Sequence, residues 1–149
     1  MPELDDLYQE IILDHNRRPR HYGVLKDATH RAEGYNPLCG DEVTVYVHVE
    51  GEMIRDITFD GQGCAISKAS ASLMTTKLRG RSITEARALM REVHALLTGP
   101  EAAAPAPDEL GDLAALAGVR KFAVRVKCAT LAWRTLEAAL SQGGTVTTE

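Results

Sequence analysis

Between residues 43 and 49 the chain alternates strictly. Val43, Val45, Val47 and Val49 are separated by Thr44, Tyr46 and His48. A period of two puts the valines on one face of a strand and the polar residues on the other. Glu50-Gly51-Glu52 then reads as a turn, and Ile57 and Phe59 continue the apolar face in a second strand, roughly Met53 to Asp60. A hairpin with one wet face is antiparallel, and its apolar face must be covered by something else. Residues 25–34 are the candidate third strand.

The remaining periodicity is helical. Leu4, Leu7, Ile11 and Ile12 form one stripe, which predicts a first helix ending near His15-Asn16, before Arg17-Arg18-Pro19-Arg20. Gly61-Gln62-Gly63 ends the second hairpin strand. A helix of small residues, Ala65, Ser67, Ala69, Ser70, Ala71 and Ser72, starts about Cys64. Ser82-Ile83-Thr84-Glu85 is a capping box. It opens a helix carrying Ala86, Leu89, Met90, Val93, Leu96 and Leu97, which Gly99-Pro100 ends as a C′ glycine followed by proline. Residues 99–107 read as a linker-like loop, Asp108 to Leu116 as a short helix, and Arg125 to Leu140 as the last helix. The tail 141–149 is expected to be disordered. The expected fold class is therefore α+β: a small antiparallel sheet of about three strands packed on one face by several helices. With 149 residues, one domain over 1–140 is expected.

Charge narrows the function. The chain has 17 basic and 21 acidic side chains, a net charge of −4, and no basic stripe interleaved with aromatics, so no nucleic-acid partner is expected. No apolar run approaches the roughly 18 residues of a membrane span. Met1-Pro2-Glu3-Leu4-Asp5-Asp6 is acidic and does not read as a signal peptide. The expected compartment is the cytoplasm, where thiols stay reduced.

Three cysteines, Cys39, Cys64 and Cys128, cannot all close into internal disulfides. Each falls where secondary structure is expected to change: Cys39 in a loop before the hairpin, Cys64 at a strand-to-helix junction, Cys128 in the first turn of the last helix. A helix N-terminus lowers a thiol pKa, so Cys64 and Cys128 are expected to be thiolates. Buried filler is the ordinary fate of a single cysteine. Three at element boundaries, two of them beside glycines, point instead to a ligand. Cys39-Gly40-Asp41 can aim a thiolate and a carboxylate at one point, and three thiolates with one carboxylate complete a tetrahedral site. Thiolates suit Zn²⁺ or an iron–sulfur cluster, whereas Mg²⁺ and Ca²⁺ prefer oxygen. Gly61-Gln62-Gly63 is not a dinucleotide loop, because Ile66 stands where the third glycine belongs. Arg120, Lys121, Arg125 and Lys127 read as a solvated basic face that would offset charge near the thiolates.

These residues bring a family into view. Asp14-His15-Asn16-Arg17-Arg18-Pro19-Arg20, Asn36-Pro37-Leu38-Cys39-Gly40-Asp41, Phe59-Asp60-Gly61-Gln62-Gly63-Cys64-Ala65-Ile66-Ser67 and Val126-Lys127-Cys128 together resemble the U-type iron–sulfur assembly proteins, the IscU/SufU/NifU N-terminal family, from about Tyr8 to Leu140. Two departures and one insertion point to the SufU branch. Lys127 stands where IscU-type scaffolds have a histidine. Phe122-Ala123-Val124-Arg125-Val126 replaces their Leu-Pro-Pro-Val-Lys chaperone-docking segment, so no dedicated Hsp70 partner is implied. The stretch around 99–120 is an insertion.

The resemblance implies an IscU-like fold and Zn²⁺ on Cys39, Asp41, Cys64 and Cys128, with iron or a [2Fe–2S] cluster on the same residues as the alternative. It implies a PLP-dependent cysteine desulfurase of the SufS type as sulfur donor and a downstream Suf cluster-assembly complex as recipient. Cys39, on a glycine-flanked loop that can move, is the expected acceptor of persulfide sulfur; the resemblance implies that a desulfurase histidine takes its place on the metal, and Arg125 is read as an auxiliary or a plain surface arginine. Sulfur transfer without small-molecule turnover of its own is the implied activity. A structural zinc module that only binds partners is the third reading.

Overall fold

The computed structural model describes residues 2–99, 110–141 and 144–147. Helix α1 (Pro2–Arg17) leads to strand β1 (His30–Asn36), then β2 (Asp41–Glu50) and β3 (Met53–Gln62). Helices α2 (Ala65–Leu78) and α3 (Ile83–Thr98) follow, then a 3₁₀ helix (Gly111–Lys121), helix α4 (Ala123–Ser141) and strand β4 (Gly144–Thr147). The fold is α+β, as the patterning implies.

Strands run in the order β3-β2-β1-β4. The first three are antiparallel. Val45 sits opposite Ala32 on one side and Phe59 on the other, and Val47 opposite Ile57. All five are buried and form the apolar face the alternation demands, with α2 and α4 packed on it. The candidate third strand lies further along than 25–34. Its end is set by the hairpin to β2, in which Asn36 pairs with Asp41.

Several boundaries differ from expectation. Gly144–Thr147, placed by the sequence reading in a disordered tail, pairs in parallel with β1. Thr145, Val146 and Thr147 are β-branched and suit a strand, and the edge of β1 offers them hydrogen-bonding groups. The stretch around 99–120 holds a 3₁₀ helix over Gly111–Lys121 rather than a short helix over Asp108–Leu116, and residues 100–109 lie outside the described residues. Leu110, Leu113, Leu116 and Val119 recur every third position and are all buried. Three residues per turn is the 3₁₀ repeat, so this spacing lines one continuous apolar stripe against the core. Gly99 ends α3 with φ −81°, extended rather than left-handed. The capping box is present: Ser82 Oγ accepts the Glu85 N–H at 3.0 Å and Glu85 Oε1 accepts the Ser82 N–H at 3.3 Å.

Two close approaches bring the helices to the site. Small residues let α2 lie against α4, where Ser70 Oγ donates to the Ala129 carbonyl at 2.6 Å and accepts the Trp133 Nε1–H at 3.0 Å. Gly34 lets α4 approach β1, because a Cβ there would overlap Thr135 Oγ1. The Asp14–Arg20 run pins α1 onto α2. Ser72 Oγ accepts the Arg20 N–H at 2.8 Å and lies 2.7 Å from His15 Nδ1, while Arg20 pairs with Asp14 at 2.6 Å. Among the described residues, no helix is long and apolar enough to cross a membrane.

Candidate metal centre

The β1–β2 turn, the start of α2 and the beginning of α4 meet at one end of the sheet. Asp41 opens β2 on the same face as Val43, Val45 and Val47, so its carboxylate points into the protein and is 1% exposed. Cys39 lies in the turn two residues earlier, its N–H donating to the Asn36 carbonyl at 3.2 Å. Gly40 beside it has φ +70° with open space around its Cα, a backbone that glycine adopts without strain.

Cys64 is the N-cap of α2, and its sulfur accepts the Ser67 N–H at 3.4 Å. Its own N–H donates to Asp41 Oδ1 at 2.8 Å. Cys128 is fully buried, and its Sγ lies 3.2 Å from Cys39 Sγ. Single donor atoms of Cys39, Asp41 and Cys128 all fall within 4.8 Å of one another. Cys64 stands just outside this trio, with its Sγ 4.0 Å from Asp41 Oδ2.

Cys64 occupies the helix start expected of it. Cys128 does not. Helix α4 begins at Ala123, so Cys128 sits in the second turn, where the free N–H groups of the first turn no longer help it. Burial pushes its thiol pKa up strongly, and hydrogen bonds with Cys39 and Asp41 and the nearby Cys64 add to the rise. The expected lowering by a helix terminus does not apply at this position: burial and the neighbouring acidic groups push the Cys128 thiol the other way, and a bound cation would oppose them.

Arg125 belongs to the first turn of α4 and is exposed. Its pKa is raised by Cys128 first, then by Cys64 and Cys39, so the cluster's sulfurs act on it electrostatically. Asn36, which sequence reasoning treated as a turn residue before Pro37, is fully buried in the site. Its Nδ2 donates to Asp41 Oδ2 at 3.3 Å and to Cys128 Sγ at 3.4 Å, and its Oδ1 has no partner. Asn-Pro is an ordinary turn signal, which hides this role. Gly63 is the other missed residue: a Cβ there would lie 2.5 Å from Asp41 Oδ1.

The NifU-like N-terminal domain family model matches residues 7–129. The chain is 41% identical to the zinc-dependent sulfurtransferase SufU of Bacillus subtilis, covering 95% of both chains. It is 42% identical to the iron–sulfur cluster assembly scaffold protein IscU of Streptococcus pyogenes, covering 95% of this chain and 87% of that one. Its fold superimposes on an iron–sulfur cluster assembly scaffold protein for the SUF system (SufU) from Fervidobacterium islandicum with a TM-score of 0.82 at 36% identity, over 89% of this chain and 95% of the other.

Proposed function

Because the chain belongs to the NifU-like N-terminal domain family of iron–sulfur cluster assembly proteins, we propose that it is a zinc-holding sulfur acceptor that takes persulfide sulfur from a cysteine desulfurase of the SufS type and passes it to a Suf cluster-building complex. One observation carries this reading: sulfurs from residues 39 and 128, a carboxylate from 41 and, just beyond, the sulfur of 64 converge at one buried point.

The donor set fits a thiophilic divalent ion. Sulfur donors dominate it, one of them buried and two half-buried beside a carboxylate, with the Arg125 guanidinium next to them. Cys39, Asp41, Cys64 and Cys128 would hold Zn²⁺. When bound, the ion supplies the charge that keeps buried thiols deprotonated.

The chain's own residues divide the remaining work. Cys39 is half-buried on a glycine-flanked turn, whereas Cys128 is buried in a helix and Cys64 caps one. Cys64 is half-buried too, but it is tied to a helix start, so Cys39 on its glycine-bearing turn is the acceptor in this reading. Its thiolate attacks the terminal sulfur of the donor's persulfide. A new S–S bond forms at Cys39 Sγ, the donor's S–S bond breaks, and the electron pair leaves with the donor's thiolate, so sulfur moves with no net oxidation. Arg125, cationic and exposed beside the cluster, holds the anionic persulfide in line. Asn36 fixes the Asp41 carboxylate.

A scaffold building a [2Fe–2S] cluster on the same donors is the second reading, favoured by the name of the Streptococcus relative. Lys127, at the position directly before Cys128 where the resemblance gives IscU-type scaffolds a histidine, favours transfer. Metal analysis and an absorption spectrum of the purified chain, followed by intact-mass analysis after incubation with a SufS-type desulfurase and cysteine, separate the two. Colourless protein with stoichiometric zinc that gains a sulfur atom, and fails to do so as Cys39→Ala, is the expected outcome. Brown protein holding iron and sulfide, or sulfur acceptance that survives Cys39→Ala, overturns it.

A further inference from the structure

Away from the sulfur chemistry, α3 and α4 enclose a groove of about 580 Å³. Its rim is cationic. Arg87 and Arg91 stand one helical turn apart on α3, and Arg134 faces them from α4. Among the described residues, none of these guanidiniums belongs to an ion pair. Glu137 is, among the described residues, the one carboxylate that lines the groove. A local excess of positive charge on a chain of net charge −4 is held together against its own repulsion, and an anionic occupant relieves it.

The shape says which anion. The floor is apolar, formed by Met90, Val93 and Trp133, all nearly buried. The lining residues come from the interiors of α3 and α4, so no free backbone N–H groups of a helix terminus point into it, as a phosphate cradle requires. The cationic and imidazole side chains from Arg87 to His94 are spread along about 10 Å of helix axis. Guanidiniums spaced in this way match successive carboxylates, each accepted by a planar fork, while the floor takes an aliphatic side chain. A flat lipid surface does not reach the bottom of a concave groove.

We propose that the α3–α4 groove docks an acidic, carboxylate-rich segment of a partner protein. The binding needs neither the thiols nor a metal.

Trp133 is the only tryptophan of the chain and reports the groove directly. The probe is a short synthetic glutamate–leucine peptide titrated into the full chain with tryptophan emission as readout. The same peptide with lysine for glutamate, ATP and phosphatidylserine vesicles serve as comparisons. The expected result is a saturable change in emission with the acidic peptide alone, which weakens as salt is added and weakens at least about tenfold in the Arg91→Glu/Arg134→Glu double variant. A milder variant, Arg91→Gln, covers the case in which charge reversal harms folding, and is expected to weaken binding to a smaller degree. The proposal is overturned if the acidic peptide gives no saturable change, if the lysine peptide, ATP or vesicles do as well, or if Arg91→Gln leaves the affinity unchanged.

Discussion

Asp41 Oδ1 accepts the backbone N–H of Cys64 at 2.8 Å, so the first residue of β2 holds the N-cap of α2. One carboxylate thereby places two of the candidate ligands, itself and Cys64, from separate elements. Gly63 makes the contact possible, since a Cβ would lie 2.5 Å from Asp41 Oδ1. Gly63 has no positive φ to lose. The Gly63→Ala chain is therefore expected to fold while its carboxylate is pushed off position, and to bind zinc roughly 10- to 100-fold more weakly, the range for disturbed supports of metal ligands. Asp41→Ala is expected to weaken zinc binding without abolishing it. Competition against a chromophoric chelator measures both, and an unchanged affinity in either variant removes Asp41 from the site.

Gly34 governs how closely α4 approaches the sheet. A Cβ at this position would overlap Thr135 Oγ1, itself donating to the Leu131 carbonyl at 2.7 Å, and would lie 3.1 Å from Leu131 Cδ1. Alanine ordinarily suits a strand better than glycine, by about 0.5–1 kcal/mol. Here the overlap outweighs that gain. Gly34→Ala is expected to destabilise the chain by about 1–3 kcal/mol, and adding Thr135→Ala is expected to recover part of the loss. Urea unfolding of the single and double variants tests this: equal stability of the wild-type and Gly34→Ala chains excludes the close approach.

Most of what positions the site could be read before any coordinates. The alternating valines define β2 and therefore place Asp41 on the inward face, two residues before Val43. The capping box and the Cys64 helix start also hold. What escaped reading depends on partners distant in sequence or on a different period. Strand β4 needs the open edge of β1 beside it, which no local pattern reveals. Cys128 appeared to open its helix because Phe122 to Arg125 carried no clear start signal, yet α4 begins at Ala123. Asn36 looked like a turn residue because its buried contacts reach 92 residues away.

The spacing of Leu110, Leu113, Leu116 and Val119 was visible, but an α-helical template does not register a period of three. Leu113 and Leu116 are fully buried, so the 3₁₀ helix is part of the hydrophobic core rather than an ornament on it. Leu116→Ala is expected to cost about 2–5 kcal/mol. The comparison is Val124→Ala, at a residue 56% exposed, expected to change stability by less than about 0.5 kcal/mol. Urea midpoints measure both, and equal small effects would remove the 3₁₀ helix from the core.

His15 ties stability to pH. It is 5% exposed, 2.7 Å from Ser72 Oγ, and burial lowers its pKa from 6.5, with Arg20 pushing the same way against the weaker pull of Asp14 and Asp112. His21 is lowered for the same first reason, then by Arg79. For both, the unfolded chain takes up a proton at a higher pH than the folded one. Where the unfolded state binds more protons, stability rises with pH. The contribution of the neutral rings is thus fully present above about pH 6.5 and is lost as pH falls from there through the depressed folded values. Asp14, held below its ordinary 3.8 by Arg20, acts only at more acid pH, so the windows do not coincide. Urea unfolding of the apo chain between pH 7.5 and 5 is expected to show falling stability, with a shallower slope in His15→Gln, whose amide can keep a hydrogen bond to Ser72 without titrating. An identical slope in the variant would mean that His15 is not the group responsible.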